Sequence, residues 1–282
     1  MFNSVNFIVI VLLLLVLLIL NQKIIMKAKI LFLIPLILCT MFWSAYSKDK
    51  DQGYYYQLKI YHLKTKAQEG RIDQFLKEAY LPALHKAGIK QVGVFKSISQ
   101  DASDQLVYVF IPAPKIDHLL NLEQTLEGDK QYLSAAKEYL NAPYNNPPYD
   151  RIESILLKAF KGMPVPATPK LTSPKNERVY ELRSYESPTE SLSDNKINMF
   201  NDAEMDIFTK LNFNAVFYGQ VISGSRMPNL MYLTTFNNKA DRDEHWAAFG
   251  PEYAPIKDLP KYQNNMTTNV TLFLYPTDYS DY

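Results

Sequence analysis

Residues 180–185 read Tyr-Glu-Leu-Arg-Ser-Tyr, and residues 56–61 read Tyr-Gln-Leu-Lys-Ile-Tyr. Both stretches follow the pattern Tyr, polar, Leu, basic, any residue, Tyr, at an offset of 124 residues. The same offset relates Leu106-Val107-Tyr108 to Leu230-Met231-Tyr232. An offset that persists into a later strand-like segment predicts two tandem copies of one globular domain. Two copies at so long a period do not make a solenoid.

Length and composition fit two such domains. The chain has 282 residues, of which 47% are hydrophobic, enough for two domains of about 100–150 residues each. Lys23, Lys27 and Lys29 are the basic residues of the first 47 positions, and the remainder carries 27 basic and 29 acidic residues, a net charge of −2. A nucleic-acid binder needs a basic face, so we expect no nucleic-acid partner.

Residues 1–47 are predicted to be a leader. An apolar run from Ile30 to Trp43 follows two lysines and precedes the small residues of Ala45-Tyr46-Ser47, which is the arrangement of a secretory signal. We interpret Met26 as a possible start and Ser47 as the region of cleavage. This predicts export to the periplasm or the extracellular space.

Two alternatives for the leader stay open. The earlier apolar run, Phe7–Leu20, could remain together with the second run as an N-terminal membrane anchor, although 14 residues are short of the roughly 20 that span a bilayer. The single cysteine, Cys39, could mark a lipoprotein, but Leu38 stands where a small residue is expected. Because Cys39 lies in the leader, the rest of the chain has no disulfide, thiol nucleophile or cysteine-based metal site.

Hydrophobic periodicity predicts the order strand, helix, strand, strand, helix, strand in each copy. The predicted first domain (54–161) has strands 54–63, 91–97, 106–111 and 151–160 and helices 68–87 and 115–140. The predicted second domain (178–276) has strands 178–186, 215–222, 230–237 and 267–275, a helix capped by Ser193 or Asp194 and ending at Leu211, and a helix over 240–249. Pro82 is expected to kink the first helix, and Pro251 to end the last one. A proline-rich linker over 162–177 separates the domains.

This order is the α+β, ferredoxin-like βαββαβ plan, in which two helices cover one face of an antiparallel four-stranded sheet. At this point the sequence resembles a known family. Tyr-x-Leu-Arg-x-Tyr at 180–185, a tyrosine within the third strand and Trp246-Ala247-Ala248 are similar to the NIPSNAP family, part of the dimeric α+β barrel superfamily. The resemblance covers residues 178–275 and, more loosely, 54–160, where Lys59 replaces the arginine and the second helix has no tryptophan.

The resemblance implies ferredoxin-like sheets that pair face to face into a barrel, here as a pseudo-dimer within one chain. It implies little about chemistry, because many members of the family have no assigned reaction. Related barrel families include cofactor-independent monooxygenases and haem-binding enzymes.

The first strands of the two copies carry the candidate ligand-binding residues. Tyr56, Leu58 and Ile60 suit a face that packs on helices, which predicts that the opposite face points into the barrel. That polar face carries Lys59, Tyr61, Glu181, Arg183 and Tyr185. Such a lining could hold a small polar or anionic ligand, since the arginine fork fits a carboxylate or phosphate. In the alternative interpretation these side chains pair with one another and lock the domains together.

The histidines give little support for metal or cofactor chemistry. None of the four stands at metal-ligand spacing from another, so we expect no metal site and no cofactor. His85 and His118 are interpreted as surface residues, and His62 as a structural residue facing the helices. His245, directly before Trp246, is the one candidate for a catalytic base or haem ligand. The sequence has neither a glycine-rich phosphate loop nor a Gly-x-Ser-x-Gly motif.

These observations predict an exported NIPSNAP-like protein that binds a small ligand or has a structural role. The alternative is an enzyme of the barrel superfamily, a cofactor-independent monooxygenase or isomerase, and the question of catalysis stays open. A third interpretation is a protein–protein module that recruits a partner through its sheet edges. The sequence predicts membrane contact only through an uncleaved leader, and it leaves oligomerisation beyond the internal pseudo-dimer open.

Overall fold

Eight antiparallel strands close into one barrel, and helices cover its outside. A computed structural model describes residues 53–99, 101 and 104–282. The predicted leader, residues 1–47, lies outside the described residues. Within the described part of the chain, no helix is both long and apolar enough to cross a bilayer.

The first half supplies four strands and two helical layers. Its strands are β1 (Tyr55–Leu63), β2 (Gly93–Ser97), β3 (Gln105–Ala113) and β4 (Arg151–Ala159). The first helical layer is α1 (Lys66–Phe75), a π-helical segment (Leu76–Tyr80) and α2 (Leu81–Lys86). Short helices form the second layer: α3 (Ile116–Leu120), α4 (Leu122–Glu127), α5 (Lys130–Ala135) and α6 (Lys137–Leu140).

The second half repeats this plan. Its strands are β5 (Val179–Glu186), β6 (Phe217–Ser223), β7 (Asn229–Phe236) and β8 (Thr268–Pro276). Its first helical layer is α7 (Glu190–Met199), a π-helical segment (Phe200–Glu204) and α8 (Met205–Lys210). The second layer is one helix, α9 (Lys239–Lys257). Short 3₁₀ turns occupy Lys175–Glu177 and Pro260–Tyr262.

The barrel closes through strand edges. The order around it is β1-β3-β2-β8-β5-β7-β6-β4, so each half contributes four consecutive strands in the same relative arrangement. The halves join where β2 pairs with β8 and where β4 pairs with β6. The expected face-to-face pairing of two sheets is therefore wrong. Edge pairing instead satisfies the backbone groups that each isolated sheet would leave open along its outer strands.

The 124-residue spacing extends through the first helical layer. Thr65 and Thr189 cap α1 and α7, and each side-chain oxygen accepts a hydrogen bond from the amide three residues later. The two π-helical segments also begin 124 residues apart and have equal length. Gly88 and Asn212, again 124 residues apart, both have positive φ just after the helices.

The spacing changes by one residue at the third strand. Lys59 lies opposite Val109, whereas Arg183, its counterpart, lies opposite Tyr232. The offset in this strand is thus 123, and the predicted equivalence of Tyr108 and Tyr232 is wrong. Since side chains alternate across a strand, one residue reverses the face. Tyr108 therefore lies inside the barrel, and Tyr232 packs under the helices.

The two faces of the first strands are the reverse of the prediction. The barrel interior contains the apolar and aromatic set of Tyr56, Leu58, Ile60, Tyr180 and Leu182. The five residues predicted to line the interior instead lie on the helix-covered face: Lys59, Tyr61, Glu181, Arg183 and Tyr185. An eight-stranded barrel is just wide enough for its own side chains to fill it. Large apolar and aromatic residues line the interior of this one, and the charged residues face the helices.

Two predicted helix boundaries also need correction. α7 begins at Glu190, so Ser193 lies inside the helix and is buried rather than capping it. α9 continues through Pro251 to Lys257 instead of ending near Phe249. At Pro82 the chain continues as helix directly after a π-helical segment.

Candidate functional site

A buried carboxylate organises the helix-covered face of the second half. Glu181 on β5 is fully buried, and its Oε1 accepts a hydrogen bond of 2.6 Å from Nε of Arg183. Its Oε2 accepts 2.7 Å from Nε of Arg242 and 2.8 Å from the indole nitrogen of Trp246, both on α9. The Glu181 carboxylate on β5 is therefore joined to α9 by two donors, the guanidinium of Arg242 and the indole of Trp246. A buried charge needs such partners.

Arg183 connects this carboxylate to a pair of tyrosines. Its guanidinium carbon lies 3.9 Å from the ring centroid of Trp246, a cation–π contact. Its Nη1 donates 3.1 Å to the hydroxyl of Tyr185, which lies 2.7 Å from the hydroxyl of Tyr232. Both tyrosines are buried. The polar face of β5 is thus a continuous hydrogen-bonded chain beneath α9.

A second buried charge pair lies beside this chain. Nζ of Lys196, on α7, donates 2.5 Å to Oε1 of Glu204, the last residue of the π-helical segment. The ammonium also lies 3.4 Å from the hydroxyl of Tyr253 and 5.0 Å from the ring centroid of Phe200. Lys196 and Glu204 are both almost fully buried. Single-turn π-helical segments occur frequently at functional sites.

Burial and charge act in opposite directions on the two carboxyl groups. Burial raises the pKa of Glu181, but the hydrogen bond from Arg242 and the charge of Arg183 outweigh it, so the pKa lies below its usual value. For Glu204, burial is the stronger effect, and its pKa stays raised in spite of Lys196. Burial likewise raises the pKa of Tyr232 well above its usual value. Such opposed shifts in one cluster are typical of functional sites and also occur in structural ion-pair networks.

The first half has the same backbone with a simpler polar set. Lys59, the counterpart of Arg183, donates 2.9 Å to Glu123 and 3.1 Å to the hydroxyl of Tyr80. At offset 124, Ile72 and Tyr80 occupy the positions of Lys196 and Glu204. Both are buried in the apolar core beneath α1. The first half therefore folds without charges at these two positions, and its own buried lysine, Lys96 on β2, pairs with Glu69 and Asp73 of α1.

The cluster is open to solvent on one side. Arg183 lies directly opposite Thr271 of β8, and Tyr185 lies opposite Asn269. Thr271 is half-buried and Asn269 is exposed, whereas Glu181 has no exposed surface. Directly opposed residues of antiparallel strands share one face, with Cβ atoms about 4.5–5.5 Å apart. A molecule approaching over β8 beside Thr271 would thus reach the strand face that carries Arg183.

Two surface grooves, one in each half, lie away from the charged cluster around Glu181. A groove of about 260 Å³ is lined by apolar residues that include Met163, Met205, Phe208 and Tyr218, and by none of the cluster's charged residues. A groove of about 280 Å³ in the first half borders Arg71 and Tyr139. We favour the face over β8 on chemical grounds, because neither groove brings several buried charges together.

The predicted site residues form two groups. Glu181, Arg183 and Tyr185 meet in the second half, while Lys59 and Tyr61 lie under the helices of the first. His245 is separate from both groups: Nδ1 lies 2.7 Å from the carbonyl oxygen of Asp241, one helical turn back, and its ring packs against two phenylalanines. Its proposed role as a base or haem ligand stays a prediction.

The other histidines also have local roles. Nε2 of His85 lies 2.7 Å from the carboxylate of Asp281, and His118 is exposed. His62 shares the interior-facing side of β1 rather than the predicted helix-facing side, and its ring nitrogens lie 2.9 Å and 3.0 Å from Asp104 and Glu153. Over the described residues, no group of three histidine, cysteine or acidic side chains could hold a metal ion.

Six members of the cluster were not among the site residues predicted from the sequence: Lys196, Glu204, Tyr232, Arg242, Trp246 and Tyr253. The sequence contained a signal for Lys196 and Glu204. They stand four residues before and four residues after Phe200, on the apolar stripe that defined the helix. A charge on such a stripe is unusual and marks a buried ion pair.

A family model matches most of the second half. The NIPSNAP family model matches residues 180–281, so the predicted resemblance is confirmed there. No curated protein matches the sequence. A NIPSNAP family protein of unknown function from Agrobacterium tumefaciens is 16% identical, with a TM-score of 0.33, covering 38% of this chain and 95% of its own.

A larger structural likeness covers both halves. A proposed monooxygenase from Fusobacterium nucleatum superposes with a TM-score of 0.51 at 8% identity, covering 80% of this chain and 93% of its own. At this identity the likeness concerns the fold alone. The predicted α+β fold of the dimeric α+β barrel type is therefore confirmed at the level of the eight-stranded barrel with outer helices.

Proposed function

We propose that this protein, whose residues 180–281 form a NIPSNAP domain, binds a small oxyanion-bearing ligand on the helix-covered face of that domain. The first half completes the barrel and supports the site. The observation that carries the proposal is the difference between the halves. The two halves have equivalent backbones at this place. The first half has the apolar Ile72 where the second half has Lys196, which pairs with Glu204.

Buried ion pairs rarely stabilise a fold more than apolar residues of similar volume would. The first half folds with Ile72 and Tyr80 at these positions, so the fold itself does not require charges there. The first half has its own buried lysine, Lys96, paired with Glu69 and Asp73, but at a different place. The charges at positions 196 and 204 are therefore particular to the second half, and a task of that half explains them best. The family resemblance supports placing the site in the NIPSNAP domain.

The chemistry of the exposed members indicates the ligand class. Arg183 and Arg242 each keep a small part of the side chain exposed, 13% and 16%, and a guanidinium fork matches a carboxylate or phosphate. Thr271, opposite Arg183, adds a hydroxyl donor. Trp246 and Phe273 supply aromatic surface beside the two arginines. This set suits a small oxyanion that carries an apolar or aromatic body.

Thermal unfolding of the full-length protein with benzoate or inorganic phosphate tests the proposal. A ligand that binds only the folded state raises the melting temperature with concentration. We expect this rise in the wild type, and we expect it to weaken in Thr271→Val, which removes a hydroxyl but leaves the Glu181 contacts in place. Ser154→Ala, at the matching position opposite Lys59 in the first half, is the control.

Two results would reject this proposal. One is the absence of a shift with either probe at millimolar concentration. The other is an equal shift in wild type, Thr271→Val and Arg183→Lys, which would locate binding elsewhere. A shift lost in Ser154→Ala alone would move the site to the first half.

We further propose that the two halves are a fused pseudo-dimer of ferredoxin-like domains that arose by duplication. The 124-residue spacing of the helix caps, the π-helical segments and the positive-φ residues supports this interpretation. Export through the N-terminal leader stays a prediction from the sequence of residues 1–47. The mass of the mature chain would test it.

A second candidate function is proton transfer in the same cluster, as in a cofactor-independent oxygenase or isomerase. The raised pKa of Glu204 favours it, because burial favours the neutral form of this carboxyl group and so makes it a stronger proton acceptor than an ordinary glutamate. Incubation in D₂O with small enolisable acids would detect exchange by NMR. Exchange that Glu204→Gln abolishes would support catalysis, and no exchange by the wild type would count against this candidate.

A further inference from the structure

Three phenol hydroxyls lie inside the barrel without a hydrogen-bond partner among the described residues. They belong to Tyr56, Tyr180 and Tyr282, whose exposed fractions are 0%, 0% and 2%. Nearly all buried side-chain polar groups in native proteins are hydrogen-bonded to protein or water. Three exceptions within one apolar interior therefore call for a partner other than the protein's own side chains.

The three rings belong to one contiguous aromatic group. The centroid of Phe95 lies 5.0 Å from that of Tyr180 and 6.4 Å from that of Tyr282. The centroid of Phe110 lies 5.2 Å from that of Tyr56 and 5.8 Å from that of Tyr282. Phe95 thus packs against both Tyr282 and Tyr180, and Phe110 packs against both Tyr282 and Tyr56.

The pKa shifts of these tyrosines also indicate that Tyr282 lies near the other two. Burial raises the pKa of Tyr56 most, and the nearby Tyr282 raises it further. Burial and Asp281 raise the pKa of Tyr282, and Tyr180 adds to this effect. The hydroxyls are therefore near enough to influence each other.

A cation stands at the edge of this group. Burial raises the pKa of Tyr180, while Arg178 lowers it. The guanidinium of Arg178 donates to the carbonyl oxygens of Ser173 and Leu171, at 2.9 Å and 3.5 Å, and its longer polar contact with the Tyr180 phenol is one of the effects that lower the pKa of that group. The neighbourhood combines three hydroxyl donors with one nearby positive charge, which favours an electron-rich occupant.

We propose that the barrel interior binds a compact hydrogen-bond acceptor, a water molecule or a halide ion, which bridges the hydroxyls of Tyr56, Tyr180 and Tyr282. The aromatic walls exclude a larger polar molecule, because its remaining polar atoms would have no partner. A purely apolar cavity in a protein stays dry, whereas a site with two or more polar partners can hold a water molecule. Since both halves supply hydroxyls, the guest joins them at the centre of the barrel. This site is separate from the one proposed on the helix-covered face.

The sign of a stability change tests the proposal. Tyr→Phe replacements at 56, 180 and 282 remove one hydroxyl each and keep the ring. With a guest, each replacement should lower the melting temperature by about 2–4 °C. If the hydroxyls are unsatisfied, each replacement should raise it, because a desolvation penalty is removed. Tyr144→Phe, at a 97% exposed position, is the control for the substitution itself.

A crystal structure from bromide-containing buffer distinguishes the two guests. An anomalous peak within hydrogen-bond distance of at least two of the hydroxyls would identify a halide site, and the wild-type melting temperature should then rise with bromide. A solvent peak without anomalous signal, with no response to bromide, would identify water. Stabilisation by all three Tyr→Phe replacements, or no peak between the rings, would overturn the proposal.

Discussion

Glu181 shows how a charged side chain can be fully buried on a strand. Its two oxygens accept from two arginines and one indole, so each lone-pair direction has a donor. The paired cations keep its pKa below the usual value, although burial acts in the opposite direction. Removing the charge would leave Arg183 and Arg242 without their shared acceptor.

We expect Glu181→Gln to lower the free energy of unfolding at pH 7 by about 3–5 kcal/mol, since it breaks a buried ion pair on one side only. A carboxyl with a depressed folded-state pKa stabilises above its unfolded pKa, about 4.3, and that contribution is lost as pH falls through the folded value. The difference between wild type and variant should therefore shrink below about pH 4. Urea unfolding at both pH values measures it.

The matched control is Glu123→Gln in the first half, where the carboxylate pairs with Lys59 and is 67% exposed. An exposed pair contributes under about 1 kcal/mol, so this variant should remain close to the wild type. A Glu181→Gln variant as stable as the control would show that the cluster does not hold α9 to the sheet.

The Lys196–Glu204 pair makes a second prediction at this scale. Lys196→Met alone and Glu204→Leu alone should each destabilise by about 3–5 kcal/mol, because each leaves one buried charge unpaired. The double replacement should be nearly neutral, as expected from the apolar residues at these positions in the first half. A double-mutant cycle by urea unfolding measures the coupling.

For comparison, the exposed pair Lys210 and Glu252, joined at 2.7 Å, should give coupling below about 1 kcal/mol. A double variant at Lys196 and Glu204 that is as unstable as the sum of its singles would mean that the pair is required for folding. The functional argument from the first half would then lose its basis.

Among the elements, the π-helical segments show how far the two halves agree. Both follow a ten-residue α-helix and contain five residues. Pro82 follows the first segment, but Asp206 stands at the equivalent place in the second half. The segment therefore does not depend on proline. In the first half the segment places Tyr80 beneath the helices, next to Lys59. In the second half it places Glu204 there, next to Lys196.

The helix caps give a prediction at the same scale. Thr65→Ala and Thr189→Ala should each lower the free energy of unfolding by about 1 kcal/mol, because each removes the acceptor of one helix amide. Thr→Ser at the same positions keeps that acceptor and is the control. Thermal and urea unfolding measure the effect. Losses of similar size in the serine variants would assign the effect to the methyl group rather than to the cap.

Across the whole molecule, closure of the barrel couples the two halves. Each seam is short: β2 pairs with β8 over three residue pairs, and β4 with β6 over four with an irregularity. The interior core combines residues of both halves in one cluster, for example Tyr56 and Phe110 with Tyr180 and Phe217. Neither half can bury this surface alone.

We therefore expect a single unfolding transition for the described part of the chain. Trp246 is the only tryptophan after residue 43, so its fluorescence reports on the second half, while far-UV circular dichroism reports on both. The two midpoints should coincide. Leu76→Ala, in the core of the first half, should destabilise by about 2–5 kcal/mol and shift the Trp246 signal equally. Two separate transitions would mean that the halves fold independently.

Part of this architecture could be predicted from local sequence. Alternation within residues 56–61 and 180–185, and the apolar stripe through Phe200, Ile207 and Phe208, predicted β1, β5 and the first helical layer. These signals depend on neighbours a few residues apart. The register of the third strand could not be predicted in this way, because the connection before it is one residue longer in the first half, and a loop leaves no periodic signal.

The element order, the 124-residue spacing and the grouping of Glu181, Arg183 and Tyr185 on one strand face could be predicted from the sequence alone. The direction in which that face points depends on the packing of the whole fold. Both faces of these strands are buried, one by the barrel interior and one by helices, so alternation alone does not identify the core. The charged face became stable against the helices because Arg242 and Trp246, some 60 residues further along the chain, provide its partners there.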